Sequence, residues 1–556
     1  MLPSQPPGGP PLPSLRPRSD LATHVVENQP APRGDGDLWA GDVALREAVA
    51  REGGGAHAAP LGHLGAALGR RDAREAGRLA NRNPPELRSF DRAGRRIDEV
   101  AFHPSYHELM RLGVSAGYPS LAWTAPAGGH VAHAAMVYMT SQVEPGVCCP
   151  MTMTYAGVPA LAADPDLAAE WVPRLLSTDY DPASRPAPEK AGATLGMAMT
   201  EKQGGSDVRS NATRAIPDGA GYRLTGHKWF CSAPMSDAFL TLAQAPGGLT
   251  CFLVPRWTPE GARNAILLMR LKDKLGNRAN ASAELEYDAA FALRLGAEGE
   301  GVRRIIEMVH HTRLDTAMAP AGLMRGALAE ALWWCRGRSA FQRRLIDQPL
   351  MASVLADLAV EAEAALALGL RVARAFDEGD RIFARTGVAL AKFLSNKRCP
   401  GMIYEAMECL GGAGYVEDGP MPLYYREAPL NSIWEGSGNV ICLDLLRTFE
   451  RERDAMPRLV AELEGARGLD ATFDGALDGT LDTWKDLPPE AEARWFVERL
   501  AMLLAASVLL RGGAGSVAQA HVATRLGGAG GRVAGAWPRG IDRAGVLARC
   551  LQEEGA

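Results

Sequence analysis

The sequence has few of the features that mark a secreted, zinc-binding or membrane protein. Its nine cysteines include no Cys-x-x-Cys pair, so neither a zinc site nor a disulfide framework is indicated. The longest apolar helical segment, residues 500–510, is too short to span a bilayer. Residues 1–20 are rich in proline and glycine and lack the apolar core of a secretory signal. We therefore expect a protein of the reducing cytoplasm with no membrane segment.

An excess of positive charge is also missing. The chain has 60 Lys and Arg residues against 65 Asp and Glu, which argues against a uniformly basic nucleic-acid-binding protein. Any surface for nucleic acid would have to be local. A length of 556 residues exceeds what one hydrophobic core usually supports, so several domains are expected.

Changes in sequence pattern predict a mainly α protein with a central β domain. We expect a disordered proline-rich tail over 1–22, an N-terminal helical domain over 23–190, a β domain over 191–300, a four-helix bundle over 301–450 and an added, partly basic helical domain over 451–556.

Apolar periodicity and turn residues predict the elements within these domains. N-terminal helices are expected over 42–50, 61–68, 72–80, 103–112 and 130–143, and Asn83-Pro84-Pro85-Glu86 should break the run before a short helix. Strands are expected over 194–200, 222–232, 238–245, 249–255, 266–271 and 283–287, with Thr225-Gly226 as a hairpin turn inside the second run. Bundle helices are expected over 302–310, 314–336, 351–378 and 382–410.

One carboxylate occupies an unusual setting, in the stretch Asn431-Ser432-Ile433-Trp434-Glu435-Gly436-Ser437-Gly438-Asn439. Apolar residues over 440–449 fall at helical spacing, so the small residues after Glu435 should lead into a helix N-terminus. Such an end suits an anion such as a pyrophosphate, because its backbone N–H groups are free. A capped helix start with a solvated glutamate is the alternative interpretation.

Five motifs give this stretch a context. They are Met197-Ala198-Met199-Thr200-Glu201-Lys202-Gln203-Gly204-Gly205-Ser206-Asp207, Gly226-His227-Lys228-Trp229-Phe230-Cys231-Ser232, Arg338-Ser339-Ala340-Phe341, Leu410-Gly411-Gly412-Ala413-Gly414-Tyr415 and Trp434-Glu435-Gly436. In this order they resemble the acyl-CoA dehydrogenase family over residues 23–449. Within it, residues 200–207, 271–278 and 431–439, and the added C-terminal hundred residues, look like the AidB adaptive-response flavoproteins.

This resemblance implies an FAD site and a homotetramer. The implied cofactor-binding residues are Met197, Met199, Thr200, Gly205, Ser206, Phe230, Cys231, Ser232, Ile433, Trp434, Gly436, Ser437 and Asn439, with Arg338 and Phe341 holding the adenine half of an FAD in a neighbouring subunit. No metal is implied. Glu408 stands where many family members carry Gln, and its negative charge would alter contacts near the cofactor.

The resemblance also implies a reaction. Forming an α,β double bond in an acyl thioester needs a base for the α proton, and Glu435 is placed for that role. Sequestration beside the flavin should raise its pKa toward the working pH. The subfamily is associated with weak acyl-CoA dehydrogenase activity and with protection against alkylation damage. The resemblance therefore implies an acyl-CoA or an alkylating small molecule as the ligand.

The C-terminal region indicates a second partner. Residues 446–493 carry six basic and twelve acidic residues, whereas 494–556 carry eight basic and four acidic ones, and all eight are arginines. With the resemblance, Arg447, Arg511, Arg525 and Arg532 are predicted to bind double-stranded DNA independently of sequence, as protection against alkylation would require. A solvated helical face is the alternative for these arginines. An ordinary dehydrogenase of a short or branched acyl-CoA, or a flavin fold used for assembly alone, remains the alternative for the protein.

Overall fold

The N-terminal region is helical, as predicted. A computed structural model describes residues 18–551, so residues 1–17 of the predicted tail lie outside the described part of the chain. The helices are α1 (Val43–Arg51), α2 (Ala58–Gly69), α3 (Arg71–Arg82), α4 (Pro104–Ser115), α5 (Leu121–Thr124), α6 (Gly129–Ser141), α7 (Cys148–Leu161) and α8 (Pro165–Leu175). Side-chain caps begin three of them: Asp42 accepts from the Leu45 N–H, His103 from the Ser105 N–H and Asp164 from the Leu167 N–H.

A β hairpin interrupts these helices. The short helix predicted after Pro85 is wrong: β1 (Glu86–Phe90) and β2 (Arg96–Ala101) form an antiparallel pair instead. Tertiary contacts explain the outcome, because Val100 is buried against the β domain and Asp98 Oδ1 accepts a hydrogen bond from the Leu268 N–H at 2.9 Å. The five residues of β1 do not by themselves indicate that they will pack against the β domain.

The β domain is a closed barrel. Its strands are β3 (Leu195–Ala198), β4 (Arg214–Asp218), β5 (Gly221–Ser232), β6 (Ala238–Ala245), β7 (Gly248–Pro255), β8 (Ile266–Leu271) and β9 (Ser282–Leu295). Pairing runs from β4 through β5, β9, β7 and β6, and a single bridge returns from β6 to β4. The β3 strand extends the barrel parallel to β6, and β8 pairs with β9. Closure removes free edges from the central strands.

The predicted hairpin turn at Thr225-Gly226 is wrong. β5 runs through both residues as one strand, and its register against β9 shifts between Leu224 and Gly226. This irregularity is a bulge, in which glycine avoids a clash: a Cβ on Gly226 would lie 2.7 Å from Thr213 Cα. Gly226 therefore marks a bulge within β5 and not a turn between two strands.

Three long helices form most of the bundle. After the barrel come α9 (Gly301–Gly337), the small strands β10 (Ser339–Ala340) and β11 (Arg343–Arg344), then α10 (Pro349–Asp377), α11 (Arg381–Cys409), α12 (Met421–Glu427) and α13 (Gly438–Arg451). The predicted segments 302–310 and 314–336 are one continuous helix, α9. The fourth long helix of this region is α13, which packs against α11.

The C-terminal region packs directly on the bundle. Its elements are α14 (Ala455–Glu464), α15 (Ala471–Thr483), α16 (Ala493–Arg511), α17 (Gly515–His521), a π-helical turn (Val522–Leu526) and α18 (Arg543–Leu551). Apolar residues of α16 belong to the same buried cluster as those of α6, α9, α10 and α11, so one core runs through all three helical regions. Within residues 18–551, no helix has both the length and the apolar character that crossing a bilayer requires.

A buried carboxylate ties this region to the bundle. Glu462 on α14 accepts from Arg371 on α10 through two bonds of 2.8 Å, from Arg458 at 3.1 Å, and from Arg511. These guanidinium groups outweigh the cost of burial and lower the pKa of Glu462 to about 2.

We therefore expect Glu462→Gln to destabilise the protein by about 3–5 kcal/mol, because the buried Arg371 loses its counter-charge. The Glu464→Gln variant is a matched control, since that carboxylate pairs with Arg467 at the surface and should contribute less than about 1 kcal/mol. Denaturant unfolding at pH 7 measures both.

The pH dependence gives a second measurement. Because the folded pKa of Glu462 lies below the unfolded one, its contribution is present above about pH 4.5 and is lost as the pH falls toward 2. The difference between wild type and Glu462→Gln should shrink over that range. Equal stability of the two proteins at pH 7 would contradict this account.

Candidate active site

The predicted base lies in a tight turn between α12 and α13. Glu435 has a φ of 55° and Gly436 a φ of 101°, so two consecutive residues lie in the left-handed region. Glycine adopts this conformation readily, whereas a glutamate does so at a cost of about 1–2 kcal/mol. Backbone strain of this kind at a non-glycine residue is often found at functional sites.

The carboxylate of Glu435 points to the middle of α9. The Thr312 hydroxyl lies 2.7 Å from Glu435 Oε2 and donates to it, with the carbonyl of Val309 at 3.1 Å as its alternative acceptor. Burial raises the pKa of Glu435 above its ordinary value, and the Thr312 hydrogen bond and the charges of Lys392 and Arg313 oppose this shift. A carboxylate with a raised pKa is suited to take up a proton near neutral pH.

Two buried cations hold the backbone of the turn. Lys392 Nζ on α11 donates to the carbonyls of Asn431, Trp434 and Gly436 at 2.7, 2.9 and 3.0 Å. Arg313 Nε on α9 donates to the carbonyl of Glu435 itself at 3.1 Å, and its Nη1 pairs with Asp444 at 2.8 Å. The turn is therefore fixed from both neighbouring helices.

A second buried ion pair fixes the motif that follows β3. Lys228 Nζ on β5 lies 2.8 Å from Glu201 Oε1, and both side chains are fully buried. Glu201 also accepts from the Thr213 hydroxyl and from the Ala212 N–H. These contacts hold Thr200 beside β5, where its carbonyl accepts from the Trp229 N–H at 2.8 Å. The loop that carries the predicted flavin contacts is thus attached to the barrel.

The predicted cofactor residues occupy two kinds of surface. Met197, Met199 and Trp434 are partly buried and pack against one apolar cluster between the barrel and the helices. Gly205, Ser206, Phe230 and Ile433 are exposed, with Phe230 at 50% of its full exposure. Ser232 is half-buried. Cys231 is fully buried in the barrel core, so it can contact a ligand through its backbone alone.

The beginning of α13 offers the features that a phosphate group needs. Ser437 is the N-cap residue and makes no side-chain capping bond, so the first N–H groups of the helix are available. Asn439 Oδ1 accepts from Arg494 of α16 at 3.0 Å, which brings a guanidinium to this helix end. A half-exposed apolar cluster beside an uncapped helix N-terminus fits a flavin with its pyrophosphate.

The remaining predicted cofactor residues, Arg338 and Phe341, belong to the small hairpin of β10 and β11. Phe341 and Gln342 have φ values of 52° and 63° and join β10 to β11 in a two-residue turn. Asn and Gly usually occupy such turns, so the conformation is costly here. Phe341 is 96% exposed, whereas Arg338 bonds to the Asn28 carbonyl at 3.1 Å.

The four arginines predicted for DNA divide into two pairs. Arg525 donates to Asp357 at 2.6 Å and to Glu361 at 3.1 Å and is largely buried, and Arg511 bonds to Glu462. Arg447 and Arg532 are exposed. The predicted basic face is therefore not formed by all four residues, because two of them neutralise carboxylates of the same chain.

Sequence reasoning missed the residues that hold the base. Thr312 and Arg313 lie more than a hundred positions before Glu435, and nothing in their local pattern marks them. Lys392 carried a weak signal, because a single lysine interrupts the apolar run Val388 to Leu394 of α11. A charged residue on an apolar helical face implies a buried partner, although its identity requires the tertiary structure.

Matches to known proteins cover most of the chain. Residues 28–182 match the adaptive response protein AidB N-terminal domain, residues 196–290 the acyl-CoA dehydrogenase middle domain and residues 299–449 the acyl-CoA dehydrogenase C-terminal domain. The AidB protein of Escherichia coli (strain K12) is 45% identical over 518 residues, which cover 92% of this chain and 95% of that protein.

More distant relatives also belong to the acyl-CoA dehydrogenase family. Acyl-CoA dehydrogenase family member 11 of Caenorhabditis elegans is 33% identical over 429 residues, 72% of this chain and 68% of that protein. A crystal structure of Caenorhabditis elegans ACDH-11 in complex with C11-CoA has a TM-score of 0.81 and 25% identity, and covers 97% of this chain and 94% of that one. The chain therefore belongs to the acyl-CoA dehydrogenase family of flavin-dependent oxidoreductases, in its AidB-type branch.

Proposed function

We propose that this protein binds FAD and dehydrogenates an acyl-CoA thioester, with Glu435 as the base. The observation that supports this role most directly is the partly buried Glu435 carboxylate, which accepts a hydrogen bond from Thr312 at 2.7 Å and has a raised pKa. Membership of the acyl-CoA dehydrogenase family supports the cofactor and the reaction class. Met197, Met199, Thr200, Trp434 and their neighbours would hold the flavin ring.

The residues of this chain supply the acid–base part of the reaction. The Cα–H bond of the thioester breaks as Glu435 takes the proton, and the electron pair forms the Cα=Cβ bond as hydride leaves Cβ. FAD, when bound, supplies the acceptor for that hydride. Thr312 orients the carboxylate, and the apolar cluster around Met197, Met199 and Trp434 would exclude water when the flavin is bound.

We also propose that FAD binds between subunits of a homotetramer. The support is the strained hairpin that presents Phe341 to solvent, because strain of this kind persists where a contact requires it. Arg338 lies at the base of the same hairpin. A neighbouring molecule that received Phe341 would bury an apolar ring that the single chain leaves exposed.

A DNA-binding role of the AidB type is supported by a different observation, the 45% identity with the AidB protein of Escherichia coli. We propose that the protein binds duplex DNA without sequence preference and protects it against alkylation, with Arg447 and Arg532 as phosphate contacts. Arg511 and Arg525 would act indirectly, by keeping the C-terminal region docked on the bundle.

Substitution of Glu435 tests its proposed role as the base. Glu435→Gln should retain FAD and the wild-type melting temperature but lose about a hundredfold or more in dehydrogenation rate, because an amide cannot accept the proton. Glu450→Gln, at an exposed position of α13, is the control and should keep full activity. The measurement is reduction of an electron acceptor with acyl-CoA. Unchanged activity of Glu435→Gln would assign the base to another residue.

The pH profile of the wild type follows from the same environment. The base acts only when ionised, so its raised pKa should place the acid limb of kcat/KM above the value for an ordinary glutamate, about 4.3. Thr312→Val should move this limb further toward neutral pH, because the hydrogen bond that stabilises the carboxylate is removed. A limb that does not move would contradict the contact.

The next prediction concerns assembly. Phe341→Ala should weaken both tetramer formation and FAD retention, whereas Leu350→Ala, another exposed apolar side chain, should leave FAD retention unchanged. Sedimentation velocity and flavin absorbance after dilution measure the two effects in one sample. A monomer of the wild type that retains FAD would contradict the proposed position of the cofactor.

The DNA prediction uses the exposed arginines. The double variant Arg447→Gln with Arg532→Gln should weaken binding to every duplex alike and reduce the salt dependence of the binding constant by about two phosphate contacts. Arg92→Gln with Arg95→Gln is the charge-matched control, at two exposed positions between β1 and β2 of the N-terminal hairpin. Gel shifts at about 50 and 200 mM salt provide the measurement. If the wild type has no DNA affinity at low salt, the dehydrogenase proposal stands alone.

A further inference from the structure

Lys392 is a buried cation whose hydrogen-bond partners are all backbone carbonyls. The residue is 2% exposed, and its sequence neighbours Leu390, Ala391 and Phe393 on α11 are buried apolar residues. An ammonium group has three N–H donors, and here each has an acceptor: the carbonyls of Asn431, Trp434 and Gly436. Burial of a charge in such a place is costly unless its hydrogen bonds are made in full.

The three carbonyls converge because of the unusual backbone at Glu435. With Glu435 and Gly436 both at positive φ, the carbonyls on either side of Glu435 turn toward the same nitrogen. The Glu435 side chain reaches Thr312 on α9. Without a donor at this point, three carbonyls would lose a hydrogen-bond partner, that of the buried Asn431 among them, and the strained residue would be free to relax.

We propose that Lys392 is a positioning residue, which holds the 431–436 turn in its strained conformation and thereby keeps the Glu435 carboxylate at Thr312. The proposal rests on the role given above to Glu435 as the base. Lys392 itself contacts neither the carboxylate oxygens nor any reacting atom, so its effect on the reaction is transmitted through the backbone.

The charge of Lys392 adds a second, electrostatic effect. The groups that act on Glu435 are the Thr312 hydroxyl, Lys392 and Arg313, and both cations lower the pKa of the carboxyl against the effect of burial. In return, Glu435 raises the pKa of Lys392, which burial and the charges of Arg313 and Lys397 lower to about 7. Removal of the ammonium should therefore make Glu435 harder to ionise.

Hydrogen exchange tests the positioning directly. In the FAD-loaded protein without substrate, Lys392→Met should increase amide exchange in peptides that cover residues 431–439 by about tenfold or more, because three charge-assisted bonds are lost. Exchange in α9 and α10 should stay unchanged. Lys397→Met is the matched control: it lies on the same helix and contacts the loop through the Ser432 hydroxyl at 2.6 Å. Its effect on the turn should be several times smaller.

The kinetics distinguish positioning from a general loss of structure. Lys392→Met should lower kcat by about tenfold or more and move the acid limb of kcat/KM to higher pH, while KM for the acyl-CoA changes little. Lys392→Gln, whose amide can replace part of the donors, should recover part of kcat, but it carries no charge and should leave the acid limb shifted. A residue that only stabilises the fold would lower activity at every pH without moving the limb.

The outcomes separate this inference from the proposed function. If the wild type shows no dehydrogenation, the proposed function fails, and hydrogen exchange still decides whether Lys392 holds the turn. Unchanged exchange over 431–439 in Lys392→Met would overturn the inference. So would failure of both Lys392→Met and Lys392→Gln to fold, because Lys392 would then be a determinant of global stability.

Discussion

The turn that carries Glu435, the proposed base, depends on one interaction, the binding of its carbonyl groups by buried cations. A glutamate at positive φ does not hold that conformation by itself, so the surrounding helices must supply the hydrogen bonds that make it the lowest-energy state. Lys392 and Arg313 do so from α11 and α9. Because α9 also carries Thr312, a single long helix positions both the backbone and the carboxylate of Glu435. The packing of α9 against α11 is therefore part of the site.

Buried ion pairs join regions of this chain at two of the places described above. Glu201 and Lys228 attach the loop after β3 to the barrel, and Glu462 with Arg371 attaches α14 to the bundle. In each case a carboxylate accepts several bonds, which offsets the cost of removing charge from water. The arginines of the C-terminal region follow the same pattern, and Arg525 is an example. A local excess of arginine can therefore reflect ion pairs within the chain, as at Arg525, and is not by itself evidence of a phosphate-binding surface.

Most of the fold could be predicted, and the errors have a common cause. The helices and strands with strong periodicity were confirmed in type, and the AidB-type family assignment from five motifs was confirmed. Three local interpretations were wrong: a helix in place of the β1–β2 hairpin, a turn at Gly226, and a break within α9. Each depends on a distant surface, the barrel for the first two and the bundle for the third, which outweighs weak local preference.

The sequence by itself determined the composition of the site: a carboxylate before small residues at a helix start, and motifs in family order. These signals are local, because a helix N-terminus and a glycine turn require particular residues at adjacent positions. Only the tertiary structure decided what surrounds Glu435 and which arginines remain exposed. The partners Thr312, Arg313 and Lys392 come from two helices far away in the chain, and a pKa depends on such neighbours and on burial. Local sequence patterns do not show which distant residues will lie next to Glu435.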